Sequence, residues 1–226
     1  MWLTLYYERA HFRNKGDTGT PNQLQCIQDE FEKIGLSLKE ITKIIITHQD
    51  FDHIGSLRDV INYVPHPVEI YAHKKEQPYI EGDKTLMKLT PERLPQFLSM
   101  FPEKFRKSMA QSRQQFNVSV PVNETIEEGD ELSYCGGITI IETPGHTPGH
   151  ISLYHQPSKT LVTGDAVCII DGQLQLAASE TTIDMDEAKS SIEKLTHYDI
   201  ETIICYHGGV MNKNVNEQLA LLASNE

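Results

Sequence analysis

The chain has 226 residues, of which 38% are hydrophobic and 23% charged, with a formal net charge of −12. That length accommodates one sizeable α/β domain and leaves little for a second, and the acidic balance argues against a nucleic-acid partner, whose phosphates need clustered Lys and Arg. The one modest basic cluster, Lys104, Arg106, Lys107 and Arg113, reads as the solvated face of a helix.

No apolar run approaches the length of a membrane span, and the start of the chain lacks the basic, apolar and small-residue segments of a signal peptide. A cytoplasmic chain with no membrane partner is therefore expected. Cys26, Cys135, Cys168 and Cys205 are scattered and form no C-x-x-C pair, so they are expected as small buried hydrophobes in a reducing cytosol and not as a disulfide framework.

In chain order, residues 1–16 are a doubtful start. Trp2 to Tyr7 supplies at most one short strand, and Phe12 to Gly16 makes a poor one. After Asp17-Thr18-Gly19 a helix is expected, capped by Thr20, with Pro21 in its first turn and Gly35 at its stop. Lys43 to Thr47 reads as a buried strand, and Ile54 to Tyr63 as a helix. Val68 to Ala72 reads as a further strand.

Residues 74–123 stand apart as a helical insertion. Met87, Leu94, Phe97, Leu98, Met100, Phe101, Phe105 and Met109 recur at near-helical spacing, broken by prolines. That face either packs on the core or forms a lid whose Met and Phe side chains line a substrate pocket. Thr125 to Ile141 alternates like a hairpin. Ile151 to His155, Thr160 to Thr163 and Thr202 to Tyr206 read as strands, Asp184 as the cap of a helix, and Asn214 to Ala223 as a closing helix. One domain over 1–226 follows.

Chemistry concentrates where the strand at residue 43 ends. His48, Asp50, Asp52 and His53 fall within six residues, and while the chain stays extended the first three share a face. Imidazoles and carboxylates so placed can hold a divalent cation; the alternative is a polar loop facing solvent. Three further segments follow apolar runs: Thr143-Pro-Gly-His-Thr-Pro-Gly-His150, Thr163-Gly-Asp165 and Tyr206-His-Gly-Gly209.

In this order the four segments resemble the signature of the metallo-β-lactamase superfamily, with Asp50 where the second histidine of H-x-H-x-D-H usually stands. The resemblance implies the αββα four-layer sandwich of that family, here with the helical insertion and an incomplete or altered N-terminal strand region. It implies two divalent metal ions. His48, Asp50 and His146 would hold the first, Asp52, His53 and His207 the second, and Asp165 would bridge them.

Zinc is the expected metal, with manganese or iron also accommodated because Asp50 is a harder ligand than imidazole. The added negative charge is expected to weaken Lewis acidity and move the activity optimum to more alkaline pH. Asp17 resembles a residue that orients a ligand histidine, and equally a turn residue. His150 is expected to be structural, and His11, His66, His73, His155 and His197 have no motif around them.

The implied activity is hydrolysis of a small ester, thioester or lactone by a metal-activated water, with Asp52 also managing a proton. Two alternatives remain: a non-haem diiron redox protein of the same superfamily, and a catalytically impaired member because of the altered start.

Overall fold

Two β-sheets lie face to face, and the alternation of side chains along their strands explains why. The computed structural model describes residues 17–99, 102–103, 106 and 118–224. The suggested strand at Trp2 to Tyr7, and Met100, Phe101, Lys104, Phe105, Lys107, Met109 and Arg113, lie outside them. In chain order the main elements are α1 (Leu24–Lys33), β1 (Lys43–Ile46), α2 (Phe51–Ile54), α3 (Leu57–Tyr63), β2 (Glu69–His73), α4 (Gln77–Ile80) and α5 (Leu94–Ser99). They continue as β3 (Glu124–Ile126), β4 (Glu131–Leu132), β5 (Ile138–Glu142), β6 (Ile151–His155), β7 (Thr160–Val162), β8 (Val167–Ile170) and β9 (Gln173–Leu176). Helix α6 (Met185–Leu195), β10 (Thr202–Cys205), β11 (Gly209–Met211) and α7 (Val215–Ser224) complete the chain.

The first sheet has the parallel order β1-β2-β3, the second the mixed order β11-β10-β7-β6-β5-β4, and β8-β9 form a separate hairpin. Along β1, Ile44 and Ile46 enter the core shared with α1 and α3, whereas Ile45 turns to the space between the sheets. The second sheet does the same. Ile138, Ile140, Ile151, Leu153 and Ile204 meet Ile45 and Tyr71 between the sheets, while Ile141, Leu161 and Ile203 pack under α6 and α7. Three apolar layers therefore separate helix, sheet, sheet and helix, which is the αββα sandwich that the resemblance implies. Among the described residues no helix is long and apolar enough to cross a membrane.

Several local expectations change. Helix α1 starts at Leu24, not after Thr20, because Asn22 takes a left-handed φ of +66° that no helix continues through. Ser56 Oγ then accepts from Gln23 N at 2.9 Å and donates to Thr20 O at 2.6 Å, tying this turn to the residues that follow α2. The expected hairpin at Thr125 is divided: β3 pairs with β2 in the first sheet, and only β4 and β5 form the hairpin. The helix expected from Ile54 to Tyr63 is two pieces, α2 and α3.

In the insertion, Phe97 is buried against the first core, its ring 5.7 Å from that of Phe51, and Leu98 packs beside it. Asp184 caps α6 as expected, its Oδ1 accepting from Asp186 N and Glu187 N.

Candidate metal centre

Four strand ends deliver the polar residues to one point. After β1 the chain stays extended at Asp50 (φ −61°, ψ 145°) and then enters α2, which carries Asp52 and His53. The β5–β6 connection brings His146, the turn after β7 brings Asp165, and the end of β10 brings His207. The Asp165 turn needs Gly164, at φ +52°, where a side chain would meet His150 Nε2 at 2.7 Å.

The geometry yields two ligand groups joined by one carboxylate: Asp52, His53, Asp165 and His207, and His48, His146 and Asp165, the ligand atoms of each within 4.8 Å of one another. His53 Nε2 lies 3.3 Å from Asp165 Oδ1. His146 Nε2 and His207 Nε2 lie 3.3 and 3.4 Å from Asp165 Oδ2. Asp52 Oδ2 stands 3.6 Å from His207 Nε2 and 3.8 Å from His53 Nε2. His207 is half-exposed and marks the open side; the others are buried except for partly exposed Asp52.

His48 Nε2, His53 Nε2 and Asp165 Oδ1 are buried and make no hydrogen bond among the described residues. Buried ring nitrogens without a hydrogen bond, beside a shared carboxylate, are groups that a divalent cation satisfies, and a mixed nitrogen–oxygen set suits zinc, manganese or iron. The residues therefore fit the metals expected of them.

Asp50 is arranged differently. Its Oδ2 lies 3.2 Å from His48 Nε2 and 3.0 Å from His146 Nε2, but it also pairs with Lys88 Nζ, which stands 2.7 Å from His146 Nε2. Sequence reading missed Lys88, because nothing around it marks it. Its ammonium offsets the negative charge from which a more alkaline optimum was inferred.

Supporting bonds fix the ligand tautomers. Asp17, with φ +51°, is both the turn residue and an orienting carboxylate. Its Oδ2 accepts from His53 Nδ1 at 2.5 Å and from Thr47 Oγ1 at 2.8 Å, and its Oδ1 accepts from Thr47 N at 2.7 Å. Thr47 Oγ1 then accepts from His48 Nδ1 at 3.0 Å, so one carboxylate points the Nε2 lone pairs of both histidines into the cluster. An Asp17→Asn variant is expected to bind metal about 10–100-fold more weakly, measured by chelator competition.

His150 is structural: its Nε2 accepts from Asp165 N at 2.9 Å, and its Nδ1 meets Thr143 Oγ1 at 2.8 Å. Cys168 is no activated thiol, since burial and then Asp165 push its pKa up.

The metal-free cluster is strongly polarised. Burial raises the Asp165 carboxyl, but the His53 charge and the nearby His207 ring hold it well below the usual range. Burial disfavours charge on His207 too, yet its bonds to Asp165 and Asp52 raise its pKa to about 9. Burial and then Lys88 lower that of His146 to about 4.

Because His207 is protonated more readily folded than unfolded, its contribution to metal-free stability is present below about pH 6.5 and fades as pH rises through about 9. Metal needs the neutral ring, so affinity is expected to rise up to roughly tenfold per pH unit from 7 towards 9 through this residue. Chelator competition across that range, beside a His207→Ala variant lacking that component, checks it.

The family model described as the metallo-beta-lactamase superfamily matches residues 17–207, from Asp17 to His207. The chain belongs to this superfamily. The Bacillus subtilis protein named probable metallo-hydrolase YflN is 29% identical over 220 residues, covering 92% of this chain and 80% of its own. A Synechocystis protein named hydroxyacylglutathione hydrolase is 24% identical, covering 74% of this chain and 48% of its own.

Two solved structures share the metallo-β-lactamase fold. A family member from Thermus thermophilus superposes with a TM-score of 0.66 at 19% identity, over 92% of this chain and 68% of its own. TTHA1623, solved in a di-iron-bound form, gives 0.59 at 21% identity, over 93% and 86%.

Proposed function

We propose that the protein is a metal-dependent hydrolase using two divalent ions that share Asp165, with a small thioester, ester or lactone as substrate. The observation that carries this reading is the pair of ligand groups, one buried and one opening to solvent at His207, that meet at one buried carboxylate. Relatives named metallo-hydrolase support the reaction class, and the hydroxyacylglutathione hydrolase favours a thioester within it. Bound metals supply Lewis acidity and lower the pKa of a water at neutral pH.

The chain's own residues do the rest. His48, His146 and Asp165, with Asp50 beside them, hold one ion; Asp52, His53, His207 and Asp165 hold the other. Asp52 faces the open side next to His207, where its carboxylate would take the proton of the attacking water and hand it to the leaving group. Tyr206 donates from its hydroxyl to Asp52 O at 2.6 Å and stacks on His53 with ring centroids 3.8 Å apart, fixing this end of α2.

A cleft of about 450 Å³ adjoins the Lys88 turn, with Tyr79, Met87 and Ile183 as apolar walls and Lys84 and Arg93 among its other lining residues. It suits an acyl chain ending in an anionic group.

Zinc is the proposed metal, with manganese or iron as alternatives. The test is a panel of thioesters, esters and lactones assayed with each metal. Metal-dependent thioester hydrolysis lost on chelation is the expected result. A metal-loaded protein that cleaves none of them, yet reduces oxygen when supplied with electrons and iron, would favour the diiron redox alternative.

A further inference from the structure

Lys88 sits where the cluster would otherwise present a cation-binding face. It lies on a short turn, Met87–Leu89, and is 6% exposed. Its Nζ pairs with the Asp50 carboxylate and lies 2.7 Å from His146 Nε2, the nitrogen that faces Asp165. The contrast within the cluster is informative. His48 Nε2 and His53 Nε2 make no hydrogen bond among the described residues, whereas at His146 the unbonded nitrogen is Nδ1 and the inward Nε2 is engaged by Lys88 and Asp50. On its Asp52–His53–His207 side Asp165 meets imidazoles, whereas on the other side a lysine ammonium lies against Asp50 and His146 Nε2.

We propose that Lys88 is a built-in cation that occupies the Asp50–His146 side of the centre and makes the two metal positions unequal. The Asp52–His53–Asp165–His207 position fills first. The His48–His146–Asp165 position fills only when an incoming metal displaces the ammonium from Asp50 and His146, since like charges at such range repel strongly where water is excluded. With one metal bound, Lys88 remains as the second cation of the site. This inference rests on the two-metal reading above and adds an order of filling to it.

Zinc binding by equilibrium dialysis with elemental analysis tests the idea on three proteins: the wild type, Lys88→Met, and Lys88→Met with Asp50→His. The double variant guards against the single one failing to fold with an unpaired buried Asp50, because it removes both charges. The expected result is a second zinc bound about 100-fold or more weakly than the first in the wild type, with the gap narrowing to within roughly tenfold once Lys88 is gone. Two zincs of equal affinity in the wild type, or a gap unchanged in the folded variants, would overturn the role of Lys88 and leave the two-metal reading standing. No zinc bound by any of the three would overturn both.

Discussion

An Asp165→Ala variant is expected to lose both metals and, with them, hydrolysis. Asp165 is the one residue common to the two ligand groups, with Oδ1 towards His53 and Oδ2 towards both His146 and His207. Removing a mere supporting residue at a metal site costs about 10–100-fold in affinity, so removing a ligand shared by two ions should exceed the upper end of that range for each. The fold itself should persist. The loss deletes a buried charge, and Asp165 N, which bonds His150 Nε2, remains in the alanine variant. Chelator competition beside a circular dichroism melt would check both points; undiminished metal affinity in a folded variant would remove Asp165 from the bridging position.

The second large effect is expected at Glu76, a residue outside every motif. Its buried carboxylate ties together the two loops that carry His48 and His146. Oε2 accepts from Gln49 N and Gln49 Nε2, each at 3.0 Å, and Oε1 accepts from Thr147 Oγ1 at 2.9 Å and Gly149 N at 2.7 Å. Gln49 lies between His48 and Asp50, and Thr147 follows His146. A Glu76→Ala substitution leaves these donors without their acceptor, at about 1–3 kcal/mol for each buried group. Allowing for partial relaxation, a loss of about 3–5 kcal/mol in unfolding free energy is expected, together with weaker metal binding, because Gln49 and Thr147 set the backbone of both ligand segments. Urea denaturation of the metal-free protein measures the first, and metal competition the second. If both were unchanged, Glu76 would be a bystander.

How much of this was legible in the sequence follows from what is local. His48, Asp50, Asp52 and His53 are read from spacing along one strand end, whereas His146, Asp165 and His207 come only from the resemblance of their short motifs to the superfamily signature; the structure brings all seven to one point. The strands at 43, 160 and 202 are legible because β-branched runs mark them, and that at 151 because Ile151, Leu153 and Tyr154 bring apolar and aromatic side chains after a turn. Pairing partners are not local, and there the reading fails. Alternation over Thr125 to Ile141 cannot say that β3 joins the first sheet while β4 and β5 join the second.

The β8–β9 hairpin was missed although Asp171-Gly172, both at positive φ, supplies its turn signal. Lys88 and Glu76 were invisible for a physical reason. A lysine in a Met- and Leu-rich turn and a glutamate before α4 become functional only through partners 38 and 27 or more residues away. Asp17 was legible as two alternatives, and the geometry gives it both roles at once.

One carboxylate, Asp165, is proposed to join two metal positions. This bridging is tested most directly by anomalous diffraction from crystals equilibrated with saturating zinc or manganese. The account predicts two peaks roughly 3.5–4 Å apart on either side of Asp165, one beside Asp52, His53 and His207 and the other beside His48 and His146. A peak on one side only at saturation, or peaks that leave Asp165 uncoordinated, would contradict it.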